Sequence, residues 1–523
     1  MLRDALIALS WANLCFVRLW SVIFSHDPSR EFLIQFALPR SEYLAVMMDV
    51  WLVAGLLWLA LRRARRGLGS AAGWLAVAIL GLAVAVLPPA FRGIIPWDVC
   101  RLRWLDWLGS LHFRAVPLVM CGALSIPAAW RFRRLVWRVF SGILLVLSPF
   151  VALTFAASIA VMGNRPDFQD RGPAPRAAWN RSAPRVVWII FDEWDQRLTF
   201  DSRPPGLDLP EIDRFRAGSL AATHAYSPGN ATTVSIPALV SGRDVKATEF
   251  AGRDRLNVVF AGEERAVSWT SVPSLFSGAR EAGFNAGAAG WYMPYCRLFG
   301  DLLAECSWCE AGSVSNSLGD GFWQMAVSGL RTPLESSALS FFGQPLTSRK
   351  HVDIYARVTA AARRMAADPS LGVAFLHLPI PHDPFIYDRA SGTFTRKTPL
   401  NGGYADALAL ADKALGELRR SMETAGVWEQ SAVLASSDHW FRGAVFLKGD
   451  EDHRVPFLLK LPYQREGAVF DPSFNTVLSQ DLVLDILRGR VADARAAARW
   501  LETRRASAPR AALEIEARTP LTP

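Results

Sequence analysis

Two apolar runs, far apart in the chain, each lead into side chains that can bind a metal ion. Val186–Phe191 is followed by Asp192, and Ala432–Ser436 is followed by Asp438 and His439. We interpret both runs as buried strands, so that each set of ligand-type side chains follows a strand end. Carboxylates combined with an imidazole suit Zn²⁺ or Mn²⁺ better than Ca²⁺, and the pattern therefore predicts a site for one of these two ions.

A hydroxyl at the start of a predicted helix supplies a candidate nucleophile. Thr232 precedes Ser235–Pro237, a helix-start signal with proline in the first turn. A hydroxyl there faces free N–H groups and the positive end of the helix dipole, which stabilise a tetrahedral anion. Taken alone, Thr232 and Thr233 are more simply explained as helix caps. Together with the strand-end ligands, Thr232 indicates a metal-assisted attack on a phosphate or sulfate ester.

The elements that must position these residues alternate along the chain from residue 185. Such alternation of strand-like and helical segments is typical of an α/β domain with a mostly parallel sheet. Strands are predicted at Val186–Phe191, Gly283–Gly290, Val373–Leu378, Ala432–Ser436 and Phe457–Leu461. Helices are predicted at 209–218, 235–241, 272–282, 350–367, 403–423 and 478–489. Because ligands gather at the carboxyl ends of strands in such sheets, Asp192 and Asp438 should converge.

Histidines near strand ends are further candidates. Of the eight histidines in the chain, four lie beside predicted strand ends of this domain, which favours function for some of them. We predict that His382 and His453 act in the site and that His377, at the end of its strand, is structural.

The first 163 residues hold several long apolar runs, which predict a membrane domain. Each run is close to the roughly 20 residues that cross a bilayer as a helix. The predicted spans lie near 5–24, 43–61, 71–90, 111–130 and 139–162. The first run is followed by further spans and lacks a small-residue cleavage site, which is typical of an uncleaved span and not of a signal peptide.

Arginine clusters predict how these five spans are oriented. Arg62–Arg66 lies between the second and third spans, and Arg131–Arg138 lies between the fourth and fifth. The positive-inside rule places both clusters in the cytoplasm, so the N-terminus is inside and the chain after residue 163 is outside. These arginines account for part of the net charge of +9, and a nucleic-acid partner is not expected.

The predicted domains are therefore a membrane domain at 1–163 and a catalytic α/β domain at 185–490, joined by a Pro- and Arg-rich linker at 164–184. Residues 491–523 are rich in Ala and Arg and are predicted to form a surface helix followed by a tail.

Three cysteines of the outer domain allow a disulfide. An oxidising compartment favours a bond within the group, most simply between Cys296 and Cys306. A zinc site that includes Cys309 is the alternative, although three thiols with no nearby histidine make an incomplete ligand set.

On these residues the outer domain resembles the alkaline phosphatase/sulfatase superfamily, and within it the membrane-anchored phosphoethanolamine and phosphoglycerol transferases. The resemblance covers about 185–490 in motif order, and Ser241–Arg243 stands in the place of the Thr-Gly-Arg that ends the sulfatase signature helix. It implies metal ligands, a nucleophile and substrate-binding side chains. The metal ligands are Asp192, Thr232, Asp438 and His439, with Thr232 as the nucleophile. The substrate-binding residues are His382, His453, Asn230 and Glu193.

Several positions depart from the family patterns. Formylglycine sulfatases need Cys or Ser at the nucleophile, with Pro or Ala two residues on and Arg four residues on, whereas this chain has Thr232, Val234 and Ile236. Segment Gly290–Cys296 lacks the Lys and His of the sulfatase Gly-Lys-Trp-His pattern. The transferases usually carry Glu as the first ligand. Here Asp192 is followed by Glu193, so either residue is a candidate.

The resemblance thus implies a membrane-anchored, metal-dependent transferase on the outer side of the cytoplasmic membrane. It would move a phosphoethanolamine- or phosphoglycerol-type group from a phospholipid to an envelope glycan or lipid through a phosphothreonine. The alternatives are a phosphodiesterase or sulfatase-type hydrolase of the same fold, or a catalytically silent membrane scaffold.

Overall fold

The computed structural model describes residues 1–24, 28–35, 39–66, 133–163, 168–178, 183–310, 322–335, 347–395, 403–447 and 452–505. The chain forms two compact units. The helical unit comprises Met1–His26, Phe36–Asp167 and Val314–Pro345. The α/β unit comprises Asp27–Gln35, Phe168–Ser313 and Leu346–Pro523.

The helices are numbered in chain order. They are α1 (Leu2–Cys15), α2 (Val17–Ile23), α3 (Pro28–Leu33), α4 (Arg40–Arg66), α5 (Arg133–Val146), α6 (Ser148–Gly163), α7 (Pro210–Ala217), α8 (Thr232–Ser241), α9 (Leu275–Glu281), α10 (Tyr295–Phe299), α11 (Phe322–Glu335), α12 (Thr347–Ala367), α13 (Gly403–Thr424), α14 (Ser479–Leu487) and α15 (Ala494–Arg505).

The strands belong to the α/β unit. They are β1 (Val186–Asp192), β2 (Leu220–Ala222), β3 (Ala225–Tyr226), β4 (Val245–Phe250), β5 (Leu256–Phe260), β6 (Val267–Ser268), β7 (Ala286–Trp291), β8 (Glu305–Cys309), β9 (Val373–Pro381), β10 (Tyr387–Asp388), β11 (Thr393–Phe394), β12 (Ala432–Ser437), β13 (Phe457–Lys460), β14 (Ala468–Phe470) and β15 (Phe474–Asn475).

The main sheet has eight strands in the order β14-β2-β13-β12-β1-β9-β7-β8. Strands β12, β1, β9, β7 and β8 are parallel, whereas β13 is antiparallel to both of its neighbours. The predicted α/β domain with a mostly parallel sheet is therefore confirmed. A hydrophobic core fills each face of the sheet, one including α8, α9 and α14 and the other including α7, α12 and α13.

Strand alternation decides which side chains reach the carboxyl edge of the sheet. Successive side chains of a strand point to opposite faces, so residues two apart share a face. The core that contains α8 takes one such series from each of the three central strands: Val186, Trp188 and Ile190; Val373 and Phe375; Ala432 and Leu434. Counting on in steps of two residues along each strand, the same face next carries Asp192, His377 and, after Ser436, Asp438. Three polar side chains thus follow three apolar series on one face.

Two helical stretches in the described part of the helical unit are long and apolar enough to cross a membrane, Arg40–Arg63 and Trp137–Gly163. They contain the predicted spans 43–61 and 139–162. The predicted span 5–24 corresponds to α1 and α2, which are separated at Phe16. The predicted spans 71–90 and 111–130 lie outside the described residues.

Local boundaries differ modestly from the sequence prediction. The helix expected at 235–241 begins at Thr232, so Pro237 lies inside it and not in its first turn. The reason is that Ala231, in extended conformation, already accepts the first helical N–H bonds, from Val234 at 3.0 Å and Ser235 at 2.9 Å. The helix expected at 491–523 is α15, and residues 506–523 lie outside the described part.

Candidate metal centre and nucleophile

Pairing of the two central strands brings the first ligand-type residues together. In the parallel register of β1 and β12, Phe191 is the partner of Ser437, so Asp192 and Asp438 are the next residues of each strand. The Ser437 hydroxyl lies 2.7 Å from the Phe191 carbonyl oxygen and accepts the Trp194 N–H at 2.8 Å. This serine therefore ties the two strand ends to each other at the point where the carboxylates emerge.

The hydroxyl of Thr232 faces these ligands and does not cap its helix. The N-cap of α8 is Ala231, and α8 has no side-chain cap hydrogen bond. The Thr232 Oγ1 instead donates to Asp438 Oδ2 at 2.8 Å and lies 3.4 Å from His439 Nε2. The capping interpretation of Thr232 is therefore not the arrangement found, and its oxygen is held against a buried carboxylate.

The imidazole of His439 is oriented as a metal ligand would be. Its Nδ1 lies 3.0 Å from the carbonyl oxygen of Trp440, and because a carbonyl only accepts, Nδ1 carries the proton. Nε2 then presents its lone pair, 3.5 Å from Asp438 Oδ2 and 3.7 Å from Asp192 Oδ1. Metal-binding histidines commonly donate their second ring N–H to a carbonyl in this way.

These spacings fit a metal ion. Ligands about 2.0–2.1 Å from a tetrahedral ion lie roughly 3.3 Å from one another. The Thr232 Oγ1 lies 2.8 Å from Asp438 Oδ2 and 3.4 Å from His439 Nε2. His439 Nε2 lies 3.5 Å from Asp438 Oδ2 and 3.7 Å from Asp192 Oδ1. Asp192 Oδ1 is buried without a hydrogen-bond partner among the described residues, whereas its Oδ2 accepts the Trp291 indole N–H at 3.0 Å. The residues present therefore fit the expected ion.

The charges of the site also favour a cation. Burial raises the pKa of Asp438, and the neighbouring Asp192 raises it further. Burial likewise raises the pKa of Glu193. Burial acts to raise the pKa of Asp192 too, but His382, His377 and His439 outweigh it and hold that pKa below its usual range. Three acids lie buried together, and a divalent cation offsets the cost of charging them.

Glu193 belongs to a different group of potential ligands from Asp192. Its φ of +62° lies in the left-handed region, and its carboxylate clusters with His382 and Asp383, whereas Asp192 clusters with Asp438 and His439. Its Oε1 accepts from Arg442 Nε at 3.0 Å, and the Arg442 side chain is 49% exposed. Its backbone N–H lies 3.3 Å from Asp438 Oδ1. Glu193 thus supports the ligand Asp438 through its backbone while its carboxylate pairs with a half-exposed cation.

The predicted substrate-binding residues are distributed around this centre. His382 forms a second cluster with Glu193 and Asp383, in which one potential ligand atom from each residue lies within 4.8 Å of the others. Burial acts to lower the pKa of His382, but Asp192, Glu193 and Asp383 raise it to about 9. His453 stacks on Trp440 with ring centroids 4.1 Å apart. Asn230 is exposed two residues before α8.

Sequence reasoning missed three residues of the site. His377, predicted to be structural, is fully buried with Nε2 3.6 Å from Asp192 Oδ2, and its Nδ1 lies 2.9 Å from the Tyr295 hydroxyl. Trp291 binds the same carboxylate through its indole. The alternation of side chains along β9 puts His377 on the same face as Val373 and Phe375, and this was the sequence signal for its place in the site. Trp291 and Tyr295 carry no sequence signal beyond their place in the segment that departs from the sulfatase pattern.

The disulfide of the structure joins the pair expected from sequence. Cys296 and Cys306 are bonded, with Cα atoms 5.6 Å apart, and Cys309 is free and buried. The bond links α10 to β8. Because α10 begins at Tyr295, the disulfide also helps to position the hydroxyl that contacts His377.

No protein-family model matches the sequence, and no curated protein matches it. Solved structures similar to this chain include the phosphonate monoester hydrolase of Agrobacterium radiobacter, with 13% identity over 58% of this chain and 74% of that chain and a TM-score of 0.40. The lipoteichoic acid synthase LtaP from Listeria monocytogenes gives 12% identity, 58% and 72% coverage and a TM-score of 0.40. A 2-O GAG sulfatase gives 13% identity, 58% and 71% coverage and a TM-score of 0.39.

These similar structures are a hydrolase, a synthase and a sulfatase. At identities and TM-scores this low, the function of the chain has to be inferred from its own side chains.

Proposed function

We propose that the chain is a membrane-anchored, metal-dependent enzyme that transfers a phospho-head-group from a phospholipid to an envelope glycan or lipid, through a phosphothreonine on Thr232. The observation that carries this proposal is the position of the Thr232 Oγ1, 2.8 Å from Asp438 Oδ2 and 3.4 Å from His439 Nε2. A hydroxyl held between a buried carboxylate and an imidazole is placed for activation and not for packing.

A metal ion held by Asp192, Asp438 and His439 would supply Lewis-acid activation of the Thr232 oxygen. The hydroxyl proton passes along the existing hydrogen bond to Asp438 Oδ2 as the oxygen attacks phosphorus. The free N–H groups of the first turn of α8 stabilise the charge on the phosphoryl oxygens. His382 donates the proton that the departing lipid alkoxide needs. In the second half-reaction, the acceptor hydroxyl attacks phosphorus and gives its proton to His382, while Asp438 returns its proton to the departing Thr232 oxygen.

Arg442 is the residue of this chain that we expect to bind the phosphodiester. Its side chain is 49% exposed, and Glu193 holds its guanidinium through contacts of 2.9 and 3.0 Å. A planar guanidinium matches phosphate oxygens with paired hydrogen bonds. The substrate is thus bound on the exposed side of the centre, where the lipid alkoxide can leave.

The membrane topology that we propose has five spans, with the N-terminus in the cytoplasm and the α/β unit outside. Two described helices are long enough to cross, and the positions of the Arg clusters support this orientation. A membrane anchor keeps the site close to a lipid donor, which supports a phospholipid substrate over a soluble one.

The proposal is tested with the full chain reconstituted in vesicles of phosphatidylethanolamine and phosphatidylglycerol that carry a fluorescent acyl chain. Enzyme activity releases fluorescent diacylglycerol, which thin-layer chromatography separates. We expect Thr232→Ala to fall below roughly 1% of wild-type turnover, because loss of a nucleophile costs more than about 10²-fold. Thr233→Ala is the matched control and should stay within a few-fold, since no side chain caps α8 and Thr233 lies outside the cluster of Thr232, Asp438 and His439.

The fate of the head group separates the alternatives. Head group retained on an acceptor supports transfer, and head group released to water identifies a hydrolase of the same fold. A Thr232→Ala enzyme with normal turnover contradicts the proposed nucleophile, and a wild-type chain without turnover or bound metal identifies a silent scaffold.

A further inference from the structure

Helix α11 belongs to the helical unit although the chain around it belongs to the α/β unit. It lies between β8, which ends at Cys309, and α12, which begins at Thr347. Residues 314–345 nevertheless cluster with the candidate membrane helices and not with the sheet. The chain therefore leaves the α/β unit, enters the helical unit and returns within fewer than forty residues.

One face of α11 packs along the N-terminal turns of α4. Met325 and Ala326 form a buried cluster with Ala45, and the Ser41 hydroxyl lies 3.3 Å from Met325 Sδ. One turn further along α11, a Cβ on Gly329 would meet Asp49 Oδ2, so the two helices approach closely at this glycine. Because residue numbers rise together along both helices in these contacts, α11 runs in the same direction as α4, over about two turns of α4 and one turn of α11.

The opposite face of α11 is apolar and exposed. Trp323 is 72% exposed and Val327 is 50% exposed, one turn apart on the same side. Leu56 of α4, on the candidate span that α11 packs against, is 69% exposed. Between Phe322 and Leu330 the sequence of α11 has no charged residue. The exposed face of α11 is therefore similar in character to the lipid-facing side expected of a span.

We propose that α11 is a re-entrant membrane helix, whose exposed face at Trp323 and Val327 contacts the lipids of the outer leaflet. This inference rests on the membrane topology of the proposed function. In that topology the N-terminal turns of α4 lie at the outer side, because Arg62–Arg66 lies in the cytoplasm. The same turns are the ones that α11 contacts, and both ends of the α11 segment lead to the outer α/β unit.

The length and composition of α11 agree with a helix that enters the membrane without crossing it. α11 has 14 residues, about 21 Å, which is shorter than the ~30 Å hydrocarbon core. Trp323 lies at its start, where tryptophan is favoured at the membrane–water interface. Asp49 is fully buried at the α4–α11 contact. An acidic side chain within a membrane span is expected to face protein and not lipid, and Asp49 does so.

Photocrosslinking in the full chain tests this inference. The photoreactive residue p-benzoylphenylalanine replaces Trp323 or Val327, and the protein is reconstituted in vesicles of phosphatidylethanolamine and phosphatidylglycerol. Leu56 of α4 is the lipid-facing control. Tyr463 of the α/β unit, 67% exposed, is the control for nonspecific labelling. Mass spectrometry of the irradiated protein identifies lipid or peptide adducts.

We expect lipid adducts at positions 323, 327 and 56 and none at 463. Lipid adducts at 56 but peptide adducts, or none, at both 323 and 327 overturn the re-entrant helix and leave the topology standing. In that case a peptide adduct identifies another part of the chain or a second copy as the true partner. If position 56 gives no lipid adduct, α4 does not lie in the membrane, and both the proposed topology and the re-entrant helix are contradicted.

Discussion

At the scale of single residues, the structure separates two neighbouring acids that the sequence left equivalent. Asp192 Oδ1 faces His439 at 3.7 Å and has no hydrogen-bond partner in the described part of the chain. Glu193 has a left-handed backbone and pairs with Arg442. Because the two carboxylates have different partners, we assign metal binding to Asp192 and support of the substrate-binding arginine to Glu193.

This assignment predicts different outcomes for two isosteric variants. Asp192→Asn should lose most of its bound metal, because even residues that only support ligands commonly change affinity by about 10–100-fold. Glu193→Gln should retain the metal and show a raised KM, because Arg442 loses its charged partner. Elemental analysis of the purified proteins measures the first effect and steady-state kinetics the second. Metal retained in Asp192→Asn and lost in Glu193→Gln would reverse the assignment.

At the scale of elements, the sequence predicted five of the eight strands of the main sheet, because apolar runs that stop at polar residues are a local signal. It did not predict β2, β8 or β14. It therefore predicted that Asp192 and Asp438 should converge. It did not predict the contact of Trp291 with Asp192, or of Tyr295 with His377, because these depend on how β7 packs beside β9. Neighbouring strands that are distant in sequence leave no local pattern.

The disulfide between α10 and β8 should stabilise the α/β unit. The Cys296→Ser/Cys306→Ser variant should lose about 2–3 kcal/mol of unfolding free energy, since the bond closes a loop of sequence separation 10. Urea unfolding of the full chain in detergent measures the loss. Cys309→Ser, at the buried free thiol, is the matched control, and reductant should destabilise the wild type but not the double variant. Equal stability of the double variant and the wild type would contradict this role.

At the scale of the whole molecule, the chain combines a helical unit with an α/β unit that carries the candidate centre. Composition predicted this division because long apolar runs stop before residue 164. It did not predict that residues 314–345 belong to the helical unit, because α11 is shorter than a span and lies within the sequence of the α/β unit. Two described helices could cross a membrane, and the five-span topology stays a prediction.

A reporter fused after Gly163 tests the orientation of the molecule. We expect a β-lactamase fusion at this position to confer ampicillin resistance, because that reporter acts only outside the cytoplasm. A green fluorescent protein fused after Arg66 should fluoresce, because the preceding arginines are predicted to lie inside. The reverse pattern would place the α/β unit in the cytoplasm and remove envelope substrates from consideration.

The central claim is that Thr232 becomes covalently phosphorylated during turnover, and peptide mass spectrometry tests it most directly. The wild-type chain is mixed with donor phospholipid without acceptor, quenched with acid, digested and mapped. We expect a head-group phosphate on Thr232 that is absent from Thr232→Ala and from enzyme stripped of metal with a chelator. Turnover without an adduct on Thr232, or an adduct on Thr233 or Ser235 instead, would contradict it.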